Sequence, residues 1–169
     1  MSEQPPDWDR GLVASLPTAL FRMKDNKQVR IFLAEDNIAD VWLLEEALKL
    51  QAVNYLLEHY LTAEEAVNAA IALGSAGRPI PDLMLIDFNL PGGDGCDVLI
   101  AAASNPKLAS VPKAVISSFL RPDELAHAIQ LGAHGVIPKP AGLDAFLSTV
   151  GTKVAELLLI SSNIDAAPR

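Results

Sequence analysis

The chain has 169 residues, half of them hydrophobic, and 13 Lys and Arg stand against 21 Asp and Glu, for a formal net charge of −8 and a pI near 4.7. This length sets one domain as the default, and the acidic balance argues against a nucleic-acid-binding surface, which needs clustered Lys and Arg. No apolar run approaches the roughly 18 residues of a membrane span, the polar start is not a signal peptide, and the lone Cys96 forms no internal disulfide, which fits a reducing cytoplasm.

Residues 1–28 stand outside the pattern that follows. Leu12, Leu16, Leu20 and Met23 recur there at helical spacing, although Pro17 confines any helix to one side of itself. A partly ordered extension and a short docking helix both fit. From residue 29 onward, strand and helix alternate five times. Residues 29–34 form an apolar strand, and 39–51 carry Val41, Leu44 and Leu48 at helical spacing. A second strand covers 54–61. An alanine-rich helix over 63–73 follows, capped by Thr62 with Glu65 three residues on and stopped by Gly74. Leu83 to Ile86 read as a short buried strand, and Asp87 follows at once. The chain then breaks through Pro91, Gly92, Gly93 and Gly95 before a helix over 95–103. Residues 113–117 make a fourth strand, a helix starts near Pro122, and 135–137 make a short fifth strand. The last helix, 143–160, places Leu143, Phe146, Leu147, Val150, Val154, Leu157 and Leu158 on one stripe. Residues 161–169 read as a flexible tail.

Strands alternating with helices of this length predict an α/β domain over 29–160, with a doubly wound parallel sheet and helices on both faces. Such sheets hold their ligands beyond the carboxyl ends of the strands, at the switch point of the winding. Four strand ends deliver polar groups there: Glu35 and Asp36, then Asp87, Ser117 and Lys139. Three carboxylates held close repel one another and tend to keep protons, a conflict that a divalent cation removes. A hard ion with oxygen ligands means Mg²⁺ first, since Cys96, His59, His127 and His134 lie too far apart in sequence to suggest a zinc site. Lys139 then faces an added anion. A phosphoryl group suits the metal, the amine and the hydroxyl together, and Asp87 is its natural nucleophile.

At these residues the chain resembles the receiver domain of two-component response regulators. Glu35-Asp36, Asp87 with Pro91 and Asp94-Gly95, Ser117, and Lys139-Pro140 carry the resemblance, with Ser117 30 residues beyond Asp87 and Lys139 22 residues beyond Ser117. It implies a flavodoxin-like sheet of strand order 2-1-3-4-5. It also implies that Asp87 accepts a phosphoryl group from a sensor histidine kinase or a histidine phosphotransfer protein. Asp36, Asp87 and the carbonyl of Asn89 would ligate Mg²⁺, with Glu35 acting mainly through a water. Lys139 would pair with the phosphoryl oxygens, ahead of a cis peptide at Pro140. Ser117 would move toward the phosphoryl group and remodel the face made by the fourth helix and last strand. The run Glu35-Asp36-Asn37-Ile38-Ala39-Asp40 is similar to stand-alone receivers that partner phytochrome-type or related hybrid kinases. With only about nine residues after the last helix, the expectation is a single-domain cytoplasmic regulator that is not a turnover enzyme and signals by binding an unnamed downstream protein.

Two positions depart from the family pattern. Val136 stands three residues before Lys139, where a switching Tyr or Phe is usual. Phe119 sits where the family tunes water access to the phosphoryl group, and here it is expected to shield the acyl phosphate. Dimerisation through the apolar stripe of the last helix is plausible, though a core-facing stripe looks the same. The rival readings are a pseudo-receiver that binds without phosphorylation and an aspartate-nucleophile phosphatase of the haloacid-dehalogenase type. The latter places an acid two residues after its nucleophile, where this chain has Asn89, which has no proton to give.

Overall fold

The computed structural model describes residues 28–75 and 77–165, with side chains to residue 161. The expected docking helix before residue 28 and the last residues of the tail lie outside these. The described elements are β1 (Val29–Ala34), α1 (Ile38–Leu50), β2 (Tyr55–Tyr60), α2 (Ala63–Ala72), β3 (Leu83–Asp87), α3 (Gly95–Ala103), β4 (Lys113–Ser117), α4 (Pro122–Gln130), β5 (Gly135–Pro138) and α5 (Leu143–Asp165). They form a five-stranded parallel sheet of order β2-β1-β3-β4-β5, so the doubly wound expectation holds, including the order.

Strand alternation divides the core in two. Phe32, Ala34, Met84, Ile86 and Val115 face one way, toward α2, α3 and Ala128 of α4. Ile31, Leu33, Leu83, Leu85 and Ile116 face the other, toward α1 and α5. Small residues let the helices approach closely: α2 buries Ala63, Ala66, Ala69 and Ala70. Gly151 of α5 lies so near α1 that a Cβ there would stand 3.2 Å from the Ala47 carbonyl oxygen. The apolar stripe of α5 is spent on this packing, since Phe146, Val150, Val154 and Leu158 are all buried in the second cluster. It therefore supplies no argument for a dimer.

Three local features were not foreseen. One turn of 3₁₀ helix, Pro106–Leu108, precedes β4. At the amino end of β4 the buried Lys113 ammonium donates to the Leu108 and Val111 carbonyls, 2.6 and 2.8 Å away, and burial lowers its pKa. Helix α5 continues to Asp165, past the expected tail boundary, because neither Gly nor Pro interrupts residues 152–165. The expected cis bond is also corrected: no described peptide bond is cis, and the one before Pro140 is trans, the isomer an X–Pro amide favours by default.

The turn that ends β3 is held by Gly95, whose N–H donates to the Phe88 carbonyl at 2.9 Å. A Cβ on Gly95 would sit 2.6 Å from the Asp87 carbonyl oxygen and 3.1 Å from the Phe88 Cα. Gly95→Ala should therefore cost about 1–3 kcal/mol of stability through forced backbone displacement. Urea unfolding measures this, and an unchanged midpoint would contradict the close approach.

Candidate functional site

The winding reverses between β1 and β3, which pair with each other while their connections leave in opposite directions. Just beyond that switch point the chain places Glu35 and Asp36 after β1, and Asp87 ends β3. Asn37 caps α1, its side chain accepting from the Ala39 N–H at 3.0 Å, which turns the chain sharply after the acidic pair. Glu35 is buried. One of its oxygens accepts from the Asn37 N–H at 3.1 Å and the other from the Lys139 ammonium at 2.5 Å. Its own carbonyl accepts a 2.6 Å bond from His59 Nε2–H on β2. Asp87 is buried too, with one oxygen accepting from the Asn89 N–H at 2.8 Å and the other from Lys139. The Lys139 side chain is 6% exposed, and its backbone N–H donates to the Ser117 carbonyl at 2.9 Å, which fixes it beside the end of β4.

Lys139 also meets Asp40 at 3.0 Å, a contact the sequence reading missed. Asp40 lies in the first turn of α1, where an acid reads as an ordinary complement to the helix dipole. The only available signal was its place within the Glu35-to-Asp40 run. Burial pushes Glu35 up to about 7, with Asp87 acting in the same direction and Lys139 opposing. Burial alone would lower Lys139, but hydrogen bonds to Asp87 and Glu35 and their charges outweigh it and hold the amine above the usual lysine range.

Glu35, Asp36 and Asp87 each offer a carboxylate oxygen, and these atoms all lie within 4.8 Å of one another. That all-oxygen set, partly open through the exposed Asp36, fits a hard divalent cation. Asn89 is exposed beside it, with its N–H turned to Asp87. Ser117 is brought to the same edge, but its hydroxyl is engaged locally: it donates to the Phe119 carbonyl at 2.7 Å and accepts from the Phe119 N–H at 3.3 Å. The Phe119 ring is 76% exposed and covers nothing in this conformation. Val136 faces away from the carboxylates and packs against the cluster that holds Val115, Ala128 and Ala133.

The family model for the response regulator receiver domain matches residues 31–151. The chain belongs to that family. It is 30% identical to Response regulator Rcp1 of Synechocystis sp. over 117 residues, 67% of this chain and 78% of Rcp1. It is 28% identical to Response regulator PleD of Caulobacter vibrioides, of which it spans only 23%. Among solved structures, the phosphorylated cyanobacterial phytochrome response regulator RcpA superposes with a TM-score of 0.70 at 33% identity, covering 79% of this chain and 95% of RcpA. The Mn²⁺-bound form of Rcp1 superposes with a TM-score of 0.69 at 27% identity, covering 77% and 94%. This chain is thus a receiver domain of the two-component response regulators, and none of its described helices is long and apolar enough to cross a membrane.

The raised Glu35 sets a pH dependence. Its carboxyl holds a proton more tightly in the fold, at about 7, than at the ordinary 4.5. The stability it contributes is complete below 4.5 and lost as pH rises through 7. With EDTA present, the Tm of the wild type should fall relative to that of Glu35→Gln between about pH 5 and about pH 8. Parallel Tm curves would refute this.

Proposed function

We propose that this chain is a single-domain response regulator whose Asp87 takes a phosphoryl group from a phosphohistidine. The donor is a sensor histidine kinase, of the phytochrome type or a related hybrid, or a histidine phosphotransfer protein. The observation that carries this reading is the setting of Asp87: a buried carboxylate at the switch point, one oxygen oriented by the Asn89 N–H and the other held by Lys139. The match to most of Rcp1 and nearly all of the RcpA chain supports the single-domain type and the kinase class.

In the transfer, an Asp87 oxygen bonds to phosphorus while the N–P bond of the phosphohistidine breaks and its electron pair returns to the imidazole nitrogen. Lys139 turns its ammonium to the incoming phosphoryl oxygens, while the Asn89 N–H keeps Asp87 oriented. Asp36, Asp87 and the Asn89 carbonyl would hold Mg²⁺, with Glu35 beside them. Bound there, Mg²⁺ would neutralise the charge that gathers between these carboxylates and the phosphoryl group. The existence of a Mn²⁺-bound form of Rcp1 supports a divalent ion as a ligand of this chain.

Ser117 links the site to its output. When its hydroxyl turns to a phosphoryl oxygen, it gives up both bonds to Phe119, and the loop from 118 to 121 is released from the end of β4. Two states of that loop then differ in what they offer a downstream partner protein. Asn89 supplies no acid two residues beyond Asp87, so the acyl phosphate hydrolyses slowly, which suits a stored signal.

Incubation with acetyl phosphate and Mg²⁺, read by intact mass, should add one phosphate to the wild type and none to Asp87→Asn. No adduct on the wild type would favour a pseudo-receiver. Loop release also carries Phe119 inward, where its ring shields the acyl phosphate from water. Phe119→Ala should shorten the half-life of the phosphorylated protein by about threefold or more, equivalent to roughly 0.7 kcal/mol of barrier. An unchanged half-life would exclude the shield.

A further inference from the structure

We propose that Asp40 is a positioning residue, the carboxylate onto which the Lys139 ammonium withdraws when a divalent cation takes Glu35 and Asp87. This rests on the reading of the carboxylate cluster as a cation and phosphoryl site.

One ammonium here answers three carboxylates: Glu35 at 2.5 Å, Asp40 at 3.0 Å, and Asp87. Two of these three, Glu35 and Asp87, also belong to the set whose oxygens converge within 4.8 Å. Lys139 therefore occupies the very carboxylates that a cation needs. Two positive charges a few ångströms apart in a buried site repel strongly, so the ammonium has to yield part of its contacts.

Asp40 is outside the converging set, already within bonding distance of Lys139 Nζ, and anchored on a different element, α1. Its side chain is 23% exposed against 6% for Lys139, so the ammonium reaches a better solvated partner there. A void of about 10 Å³ lined by Glu35, Asp40 and Lys139, with Leu44 and Phe146 among its walls, leaves room for that small shift. Asp40 keeps the displaced ammonium paired, which lowers the cost of admitting the cation.

Isothermal calorimetry with Mg²⁺ tests this. Asp40→Asn, an isosteric neutral change, should weaken Mg²⁺ binding by about three- to tenfold, and Asp40→Glu should restore part of the loss. A charge acting only through space would weaken binding equally whether or not the lysine is present. The same Asp40→Asn change made in a Lys139→Met background should therefore cost less than about twofold, as a double-mutant cycle requires of coupled residues. Lys139→Gln serves as the second background if the Met variant does not fold. Equal losses in both backgrounds, or wild-type affinity in Asp40→Asn, would overturn the role of Asp40 while phosphorylation of the wild type by acetyl phosphate stands. A wild type that neither binds Mg²⁺ nor takes the phosphate would overturn the reading of the site itself.

Discussion

The pairing of one buried ammonium with a ring of carboxylates governs this molecule. Lys139 comes from the end of β5, Glu35 from just beyond β1, Asp87 from the end of β3 and Asp40 from α1. Each element is positioned by an apolar sheet whose side chains on β1, β3 and β4 are almost all inaccessible to water. Acids on so rigid a frame cannot move apart to relieve repulsion, so a cation must stand among them. Removing one partner from such a group typically costs about 3–5 kcal/mol, because a charge is left buried and unpaired. The same arithmetic makes the site responsive. In the proposed function, an incoming ion or phosphoryl group would change which partner Lys139 keeps, and the frame would transmit the difference.

The parts of this arrangement legible in the sequence are those where local chemistry conflicts with local structure. Asp87 directly after four apolar strand residues, and Lys139 between two prolines after an apolar run, are costly placements with no local compensation. They were readable because their partners had to be found elsewhere. Asp40 was not, since an acid in a first helical turn is already explained by the dipole. Only the sheet topology brings it to a lysine 99 residues away. The Ser117 bonds to its own loop were likewise hidden, because periodicity locates a strand end but not where its hydroxyl turns. The extra turn of α5 escaped for a related reason: Ser161, Ser162 and Asn163 interrupt the apolar pattern, so periodicity gives no mark of the helix there.

The two ends of the sheet serve different purposes. At the amino end Lys113 satisfies carbonyls of the α3–β4 connection, and His134 packs there through a 3.2 Å bond from the Lys113 N–H. Those contacts close a loop and carry no carboxylate. At the carboxyl end the acids gather and the hydrogen bonds cross between elements. A charge buried for architecture and a charge buried for chemistry are thus told apart by their partners, carbonyls in one case and opposite charges shared among several strands in the other.

The route out of the site follows from which element is least tied down. Helix α1 buries Val41, Leu44, Ala47 and Leu48, and α3 buries six of its nine residues, whereas α4 buries Ala128 alone. An element with so few buried contacts opens at a small fraction of the global stability. Its start is pinned by Arg121 and Glu124, which bond to each other at the mouth of the loop that Ser117 holds. Leu120 in that loop and Val136 on β5 both pack against the cluster containing Ala128 and Ala133. In the switch proposed above, release of Phe119 from Ser117 would shift Leu120 within a cluster that Val136 shares, and α4 would be the part free to follow. A valine would serve in that proposed switch as a packing surface, with the loop and its helix as the moving part.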